Sequence, residues 1–399
     1  MKKYLLAVSF VLALFLWACS NSLTSEDGNR TLETTIMRYG PDLYSRGELN
    51  AAVSADSFLS IFEYGDIVTV IVAKKDTFDA LVGGVWNDVF SGEYVVVVEE
   101  GRSCISFGMS AGVTAVDLGF AKYSKDKSGH LFEPNEDLNS SLKVEFIKKR
   151  NDGFPKTMIM RGLEAWGYER EMFPILSEAE YANFRDVSTP GMGAYVLYRS
   201  SSPIDPSLGR NEVSDFLISK VGIATILNLT DTEERAREYE GYKDTYYSKQ
   251  KIAFLDMFTA FASPLFKDGF VKGLRFMIEN EGPYLVHCTL GKDRTGLVIA
   301  VLEALMGADI EDIKKDYGKS YTNFFVVMDG VQQPLPEDDI AWFSDLIAKN
   351  IRFVYESEGV ALDESFDNLT SATEKYLQRL GLSKSEIVAL KERLKYPNY

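Results

Sequence analysis

The residues best suited to chemistry lie between positions 287 and 296, where the sequence reads His-Cys-Thr-Leu-Gly-Lys-Asp-Arg-Thr-Gly. Cys288 is a candidate nucleophile, and Arg294 follows it six positions later. A thiolate is favoured at the N-terminus of a helix and beside a cation, which makes such a cysteine reactive. A planar guanidinium can hold two oxygens of a phosphoryl group, a geometry that lysine cannot reproduce. The pair therefore predicts a cysteine nucleophile acting on a bound oxyanion.

The elements on either side indicate how this loop would be positioned. Tyr284–Val286 has the pattern of a buried strand, and Leu297–Met306 that of an apolar helix, which Gly307 ends. A strand-to-helix loop that contains Gly291 can turn the amides of residues 289–294 toward a tetrahedral anion. The start of the helix adds positive partial charge and unpaired N–H groups. The sequence thus predicts an anion-binding loop at this junction.

Residues 287–295 resemble the loop of the cysteine-dependent protein tyrosine phosphatase superfamily, whose signature is H-C-x5-R-[ST]. The closer similarity is to its bacterial branch of tyrosine and phosphoinositide phosphatases, whose loop is H-C-x-x-G-K-D-R-T. Two further segments are similar to that branch: Asn183–Val187 to its N-F-R-D motif and Leu197–Ser201 to its Y-R-S strand end. The resemblance spans residues 181–399. It implies an α/β fold, a tyrosine phosphatase-like domain with a central sheet flanked by helices.

The resemblance also assigns roles within the loop. It implies that Cys288 attacks phosphorus to form a cysteinyl-phosphate, which water then hydrolyses. Arg294 and the loop amides would stabilise the charge on the equatorial oxygens, and the hydroxyl of Thr295 would donate to the sulfur of Cys288. His287 would orient the loop rather than act as a base. The other residues assigned to substrate binding are Thr289, Leu290, Gly291 and Lys292.

The leaving oxygen must be protonated, which calls for a carboxylic acid within reach. Asp293 lies inside the loop and matches the proposed acid of the branches with K-D-R loops. Asp256 lies 32 residues before Cys288, a separation similar to that of the acid loop in many superfamily members, but its surroundings lack the W-P-D pattern. Asp231 follows a predicted strand; it could be an acid, but we expect it to cap a helix together with Thr232. We place Asp293 ahead of Asp256 and keep both.

Two basic residues bear on the identity of the substrate. Lys292 adds a second cation to the loop, which suits phosphoinositides or inositol phosphates as well as phosphotyrosine; alternatively, it is a solvated lysine at the rim. Arg199, at the end of a predicted strand, is either a second phosphate contact or a support for the loop. We expect a phosphorylated protein as the substrate, with a phosphoinositide as the alternative.

The N-terminus has the pattern of an export signal followed by a lipid-attachment site. Two lysines precede an apolar run, Tyr4–Trp17, that is shorter than a comfortable membrane span. The residues before Cys19 resemble a bacterial lipobox, which predicts cleavage after residue 18 and a lipid on Cys19. The alternative is an ordinary signal peptide with an unrelated cysteine. We expect a membrane-anchored lipoprotein of the bacterial cell envelope, on its periplasmic or surface side, with residues 19–32 as a linker.

The rest of the chain is expected to form two domains joined by residues 151–180. Residues 33–150 carry alternating and β-branched patterns such as Ile67–Val72, which predict a small, mostly-β accessory domain. From residue 181 onward, strand and helix patterns alternate, as in α/β domains, with a strand predicted at Ala194–Tyr198 and a helix at Phe270–Glu279. Two other hypotheses stay open: a phosphate-binding lipoprotein without turnover, which would need no nucleophile, and a β domain that is the functional core and docks an unknown partner.

Composition excludes further classes of function. The net charge of −16 argues against broad binding to nucleic acid, which requires basic patches. Three cysteines without a C-x-x-C pair and two histidines leave little for a metal site, so neither a metal nor another cofactor is expected. Cys104 and Cys288 fall in different predicted domains, and we interpret Cys288 as a free thiol.

Overall fold

The structure is a computed structural model of the chain. It describes residues 22–24, 30–124, 132–136, 138–139, 141–155, 170–174, 176–324, 326–328, 331–333 and 335–395. The chain divides into two units, residues 1–158 and 159–399, at a boundary inside the segment expected to connect two domains. The predicted signal peptide and Cys19 lie outside the described residues. None of the helices in the described part combines the length and the apolar character that a membrane crossing requires.

The first unit is built on a sheet of eight strands among its described residues. These strands are β1 (Ser22–Thr24), β2 (Thr31–Thr35), β3 (Leu49–Ala51), β4 (Ile67–Val72), β5 (Asp76–Gly83), β6 (Tyr94–Val97), β7 (Ile105–Met109) and β10 (Lys143–Arg150). Two more strands pair separately, β8 (Ala121–Tyr123) and β9 (Phe132–Pro134). The order in the sheet is β1-β2-β10-β4-β5-β6-β7-β3, and neighbours are antiparallel except for β5 and β6. The described helices are α1 (Pro41–Arg46), α2 (Ala55–Leu59) and α3 (Thr114–Asp117), with a 3₁₀ turn at Trp86–Asp88.

Alternating side chains place one face of this sheet in a hydrophobic core. The three valines of β4 are buried and the residues between them are half-buried, because successive side chains of a strand point to opposite faces. Phe146 of β10 packs edge-on against Phe58 and Phe107 in that core. The predicted strand-rich region is confirmed, and β4 has the predicted bounds. Ser22–Thr24, in the segment expected to be a linker, pairs with β2.

The second unit contains a five-stranded sheet among its described residues. Its strands are β11 (Arg185–Asp186), β12 (Leu197–Ser200), β13 (Thr225–Asn228), β14 (Lys251–Phe254) and β15 (Tyr284–His287), and a separate pair is formed by β16 (Val326–Met328) and β17 (Val331–Gln333). The helices are α4 (Glu178–Tyr181), α5 (Asn211–Val221), α6 (Glu233–Glu238), α7 (Pro264–Glu279), α8 (Asp293–Met306), α9 (Ile310–Thr322), α10 (Glu337–Ser357), α11 (Leu369–Arg379) and α12 (Lys384–Lys395). Short 3₁₀ turns lie at Arg170–Met172, Pro206–Leu208, Tyr242–Asp244 and Tyr247–Lys249.

The order of this sheet brings the predicted site residues to one edge. The order is β11-β12-β15-β13-β14, and β15 lies parallel to both of its neighbours with all four residues buried. Carboxyl ends of parallel strands meet at the same edge, where ligand sites of α/β folds form. Residues 288–292 join β15 to α8, which is buried over most of its length and contacts α9, α10 and α11. The predicted α/β fold, with a central sheet flanked by helices, is confirmed.

Candidate active site

The loop between β15 and α8 passes very close to the end of β12. Gly291 has a φ of +67°, and a Cβ added to it would lie 2.1 Å from the carbonyl oxygen of Ser200. Only glycine combines this left-handed conformation with so close an approach of two backbones. Gly291 therefore determines the path of the loop, independently of any contact that it makes with a substrate.

The carbonyl oxygens of the loop are bonded to the surrounding scaffold. The carbonyl of Thr289 accepts from the amide of Ser202 over 3.0 Å, and those of Leu290 and Gly291 each accept from Nδ2 of Asn183 over 3.1 Å. The amides of Thr289, Leu290 and Gly291 meet no acceptor among the described residues. Unpaired amides in one short loop at the start of a helix are what an anion-binding site requires.

Cys288 and Arg294 lie at the two ends of this loop. Cys288 is 3% exposed and, like Cys104 in the first unit, is a free thiol. Arg294 lies in the first turn of α8, and its guanidinium turns back toward the loop. Nη2 donates to the hydroxyl of Thr289 over 3.4 Å, and Nη1 donates to the carbonyl oxygen of Met257 over 3.0 Å. The guanidinium is thus held at the rim, where it can reach an anion bound to the loop.

Thr295 departs from the expectation. Its side chain is fully buried, and its hydroxyl has no hydrogen-bond partner in the part of the chain that the structure describes. The predicted donation to the sulfur of Cys288 is therefore wrong for this structure, because no acceptor lies within bonding range of the hydroxyl. A buried hydroxyl without a partner costs about 1–3 kcal/mol.

His287 supports the loop from inside the sheet. It is fully buried, with Nδ1 3.4 Å from the carbonyl oxygen of Cys288 and Nε2 3.0 Å from the hydroxyl of Tyr247. Burial lowers its pKa to about 3; the bond to Cys288 opposes this shift and the charge of Arg294 adds to it. The imidazole is therefore neutral near pH 7. Asn228 donates to the Tyr247 hydroxyl, which leaves that hydroxyl to donate to Nε2. These contacts fit a role in orienting the loop, and complete burial removes His287 from contact with a substrate.

Both candidate acids lie on segments that contact Arg294. Asp293 is the first residue of α8, and its side chain is 35% exposed. Asp256 follows β14 with a φ of +44°, its side chain is 24% exposed, and its Oδ1 lies 3.6 Å from Nη2 of Arg235. Met257, the next residue, provides the carbonyl that Arg294 contacts. The geometry keeps Asp293 and Asp256 as alternatives.

Asp231 lies at the end of β13 but does not cap α6. Its carboxylate accepts from Nδ2 of Asn228 over 3.0 Å and from the hydroxyl of Tyr239 over 3.2 Å. Burial raises its pKa, although the Asn228 bond and the charge of Arg235 oppose this. The cap is Thr232, whose hydroxyl accepts from the amide of Arg235. The expectation for Asp231 is wrong because its carboxylate is bonded to side chains at the end of the sheet.

Lys292 is buried rather than solvated. It is 4% exposed, and its Nζ lies 4.7 Å from the centre of the Tyr321 ring and 3.9 Å from Oδ1 of Asp293. The ring of Tyr321 is itself buried and stacks on Phe343, with 4.4 Å between the ring centres. The alternative of a solvated lysine at the rim is therefore wrong. A buried cation next to the loop adds to the positive potential that attracts an anion.

Arg199 supports the loop from the scaffold side. It is fully buried in β12; its Nη2 donates to the carbonyl oxygen of Gly291 over 2.8 Å, and its Nη1 donates to Oδ2 of Asp316 over 2.6 Å. Arg199 was expected either to contact a second phosphate or to support the loop, and these contacts favour the second role. A direct contact with a substrate phosphate is not consistent with this enclosure.

The N-F-R-D segment has a partner, Asp316, that no sequence motif indicated. Arg185 of that segment donates through Nε to Oδ1 of Asp316, which lies on α9, over 2.7 Å. A carboxylate on a helix rich in charged residues is normally solvated, so Asp316 did not stand out in the sequence. Helical periodicity could have done so, because Asp316 shares a face with Ile313, Tyr317 and Ser320, all of which are buried.

The site combines the groups needed for nucleophilic displacement at a bound oxyanion. It contains a buried thiol, a loop with unpaired amides, a guanidinium at the rim and two carboxylates on adjoining segments. Within the described ranges, no group of three or more His, Cys, Asp and Glu side chains is placed to hold a metal ion.

Comparison with protein families gives a match to the second part of the chain. Residues 178–396, more than half of the chain, match the sequence profile described as the tyrosine phosphatase family. This range includes the loop, both candidate acids and Asp316. No curated protein matches the chain.

Several solved structures are similar to parts of the chain, all at low TM-scores. An uncharacterized conserved protein from Thermotoga maritima is 17% identical over 30% of this chain with a TM-score of 0.21, and the chain spans only 35% of that protein. TpbA from P. aeruginosa, in complex with pTyr, is 18% identical over 45% of this chain and 93% of its own, with a TM-score of 0.26. The core catalytic domain of the PP-IP phosphatase SIW14 from S. cerevisiae, in complex with citrate, is 20% identical over 43% of this chain and 97% of its own, with a TM-score of 0.24.

Proposed function

Because the chain belongs to the tyrosine phosphatase family, we propose that it hydrolyses phosphate monoesters with Cys288 as the nucleophile. The observation that carries this proposal is the loop that follows Cys288. Its carbonyl oxygens are bonded to the scaffold, and the amides of residues 289–291 meet no acceptor among the described residues. Arg294 lies at its rim. This geometry stabilises charge on the equatorial oxygens of a phosphoryl group.

The reaction has two displacements at phosphorus. The thiolate of Cys288 attacks phosphorus, an S–P bond forms, and the P–O bond to the leaving group breaks. The electron pair of that bond goes to the leaving oxygen, which takes a proton from a carboxylic acid. Water then attacks the cysteinyl-phosphate and gives its proton to the same carboxylate, releasing inorganic phosphate and the thiolate. Asp293 is the first candidate for the acid and Asp256 the second.

Hydrolysis of p-nitrophenyl phosphate in the presence of EDTA tests the activity. We expect turnover that vanadate blocks and that Cys288→Ser abolishes. Cys104→Ser is the matched control, because Cys104 is also a buried free thiol but lies in the first unit. Full activity of the Cys288→Ser variant would contradict the proposal. Vanadate binding without any turnover by the wild type would instead favour a phosphate-binding protein.

For the substrate, we propose phosphotyrosine in a protein. The family description supports this choice. A phosphoinositide is the second candidate, favoured by Lys292, which adds a buried cation beside the loop. The Cys288→Ser variant, which retains the loop but not the nucleophile, should retain a phosphotyrosine peptide in a binding assay and not a short-chain phosphoinositide. Tighter binding of the phosphoinositide would reverse the order of the two candidates.

We also propose that the protein is a lipoprotein of the bacterial envelope, anchored through Cys19. The support is the sequence before Cys19, which resembles a lipobox after a basic start and a short apolar run. The full chain, expressed in bacteria supplied with labelled palmitate, should take up the label in the membrane fraction. Cys19→Ala should not, whereas Cys104→Ala should label normally. Equal labelling of the Cys19→Ala variant would contradict the anchor.

A further inference from the structure

The loop that follows Cys288 is attached to the sheet through carbonyl oxygens. The carbonyl of Gly291 accepts two hydrogen bonds, one from Nη2 of Arg199 at 2.8 Å and one from Nδ2 of Asn183 at 3.1 Å, and that of Leu290 also accepts from Asn183. A peptide group is planar, so its carbonyl and the next amide point in opposite directions. Holding these two carbonyls on the scaffold side therefore turns the amides of Gly291 and Lys292 toward the open side of the loop.

The two residues that donate to the loop carbonyls, Arg199 and Asn183, are both held in place through one carboxylate. Asp316 accepts from Nη1 of Arg199 through Oδ2 at 2.6 Å and from Nε of Arg185 through Oδ1 at 2.7 Å. Arg185 in turn donates to Oδ1 of Asn183 at 2.7 Å, which fixes the amide that bonds the loop. One turn further along α9, the hydroxyl of Ser320 accepts from Nη2 of both arginines, at 3.0 and 3.2 Å. The two arginines thus have a common anchor on α9.

The charge of Asp316 is required in this arrangement. Its side chain is almost fully buried, as is that of Arg199. Burial would raise the pKa of Asp316, but Arg185 and Arg199 outweigh this and keep the pKa well below its ordinary range. Glu303 is another buried carboxyl group close by; burial and the charge of Asp316 raise its pKa well above the ordinary value. Without Asp316, the buried guanidinium of Arg199 and the partly buried guanidinium of Arg185 would lose the carboxylate that pairs with both.

We propose that Asp316 is a positioning residue of the nucleophilic loop, which through Arg199 holds the carbonyl of Gly291 away from the bound oxyanion. Through Arg185 and Asn183 it acts in the same way on the carbonyl of Leu290. Asp316 does not touch the substrate. The inference rests on the proposed function in one respect, namely that the oxyanion is the phosphoryl group of a substrate. That Asp316 determines the geometry of the loop is a separate claim, which binding experiments can test without turnover.

The test uses the full chain and the isosteric variant Asp316→Asn. Calorimetric titration with tungstate measures the affinity of the loop for an oxyanion, and hydrolysis of p-nitrophenyl phosphate measures kcat and KM. Because the amides and Arg294 bind the transition state more tightly than the ground state, we expect kcat/KM to fall about 100-fold and the dissociation constant for tungstate to rise about tenfold. Most of the loss in kcat/KM should lie in kcat.

The matched control is Tyr355→Phe. It removes a buried hydrogen bond, to the hydroxyl of Thr373, on helices that carry none of the site residues. We expect Tyr355→Phe to lower the unfolding temperature and to bind tungstate like the wild type. If Asp316→Asn keeps its tungstate affinity and kcat/KM, or if both variants lose affinity in proportion to their loss of stability, the positioning role is refuted.

A double-mutant cycle distinguishes a shared path from general damage. Arg199→Met and Asp316→Asn should each weaken tungstate binding, and their effects should be far from additive because both act on the carbonyl of Gly291. Additive effects would contradict the proposal. If Asp316→Asn does not fold, Ser320→Ala replaces it, and it should raise the tungstate dissociation constant about threefold, since it removes one neutral acceptor and leaves the ion pairs; an unchanged constant would refute the role.

Binding and turnover separate the two proposals. If the wild type binds tungstate but hydrolyses no ester, the proposed function fails and the positioning role is still decided by affinity. If the wild type hydrolyses the ester and Asp316→Asn does so equally well, the positioning role fails alone. If the wild type does not bind tungstate, the loop is not an oxyanion site and the positioning role is refuted as well.

Discussion

Nη1 of Arg294 donates a hydrogen bond to the carbonyl oxygen of Met257 over 3.0 Å. This bond joins the first turn of α8 to the segment that carries Asp256, the neighbour of Met257 in the chain. The same Asp256 faces Arg235 of α6 at 3.6 Å. The guanidinium has five N–H donors, so it can hold a phosphoryl group while Nη1 keeps its bond to Met257. The bond therefore joins the cation at the loop to the segment of one of the two candidate acids.

The first prediction concerns the general acid. Asp293→Asn should lower kcat for phenyl phosphate about 100-fold, because the poor leaving group then departs without a proton. It should also remove the decline of kcat at high pH that deprotonation of the acid causes in the wild type. The measurement is kcat against pH for phenyl phosphate and for p-nitrophenyl phosphate, whose better leaving group needs less protonation.

Asp256→Asn serves as the comparison for this assignment. We expect it to keep the decline of kcat at high pH and to affect both substrates equally. The opposite result, in which Asp256→Asn alone loses the decline and discriminates between the leaving groups, would assign the acid to Asp256.

The second prediction concerns the guanidinium of Arg294. Arg294→Lys keeps the positive charge but loses the two-pronged geometry, so kcat/KM for p-nitrophenyl phosphate should fall by about three orders of magnitude. Arg237→Lys is the control, since Arg237 pairs with Glu233 on the surface of α6. A loss of less than about tenfold in Arg294→Lys would show that charge alone suffices.

The third prediction concerns Gly291, whose φ is +67°. Gly291→Ala should abolish measurable activity, because the new methyl group would meet the carbonyl of Ser200 and displace the loop. Gly222→Ala is closely matched: its φ is +71°, but nothing lies within 4 Å of the added Cβ. It should cost about 1 kcal/mol of stability and leave kcat/KM unchanged. Equal activity of the two variants would contradict the steric argument.

The fourth prediction concerns the pH dependence of stability. His287 has a folded-state pKa of about 3, against an ordinary value of 6.5. Between these values the unfolded chain takes up a proton that the folded chain does not, so the free energy of unfolding falls as the pH falls from 6.5 toward 3. The slope from one such group reaches about 1.4 kcal/mol per pH unit. Urea unfolding of the wild type and of His287→Gln between pH 6.5 and 4.5 should show this slope only in the wild type.

His130→Gln provides the control for the loss of a histidine as such, since the chain has two. It should keep the slope of the wild type. If His287→Gln and the wild type lose stability equally as the pH falls, His287 is not the buried neutral group that the structure indicates.

Much of the fold could be predicted where side-chain pattern alone decides the structure. The bounds of β4 were predicted to the residue, because its alternation is uninterrupted. The strand predicted at Ala194–Tyr198 is instead Leu197–Ser200, since Tyr195 has a φ of +63°, which a strand cannot contain. The helix predicted from Phe270 begins at Pro264, after the cap Ser263, a start signal that apolar periodicity does not register.

A site can be predicted from local sequence where its residues are neighbours in the chain. The anion-binding loop depends on a strand, a glycine and a helix within about a dozen residues, so its position could be predicted from local pattern. Its support from Arg199 and Asp316 could not, because these side chains lie 92 and 117 positions from their partners, Gly291 and Arg199 respectively. The hydroxyl of Thr295 was misplaced for a related reason: local sequence determines its helix but not the position of the nearby sulfur.

The fixed peptide groups of the loop also constrain how its selectivity can change. Leu290 is half-exposed, and its side chain forms no hydrogen bond or ion pair with any described residue, although its carbonyl is bound to the scaffold. Because that bond is made by the backbone, exchange of the isobutyl group for a larger or a charged one would leave it in place. The side chain at position 290 can therefore vary while the attachment of the loop to the scaffold is kept.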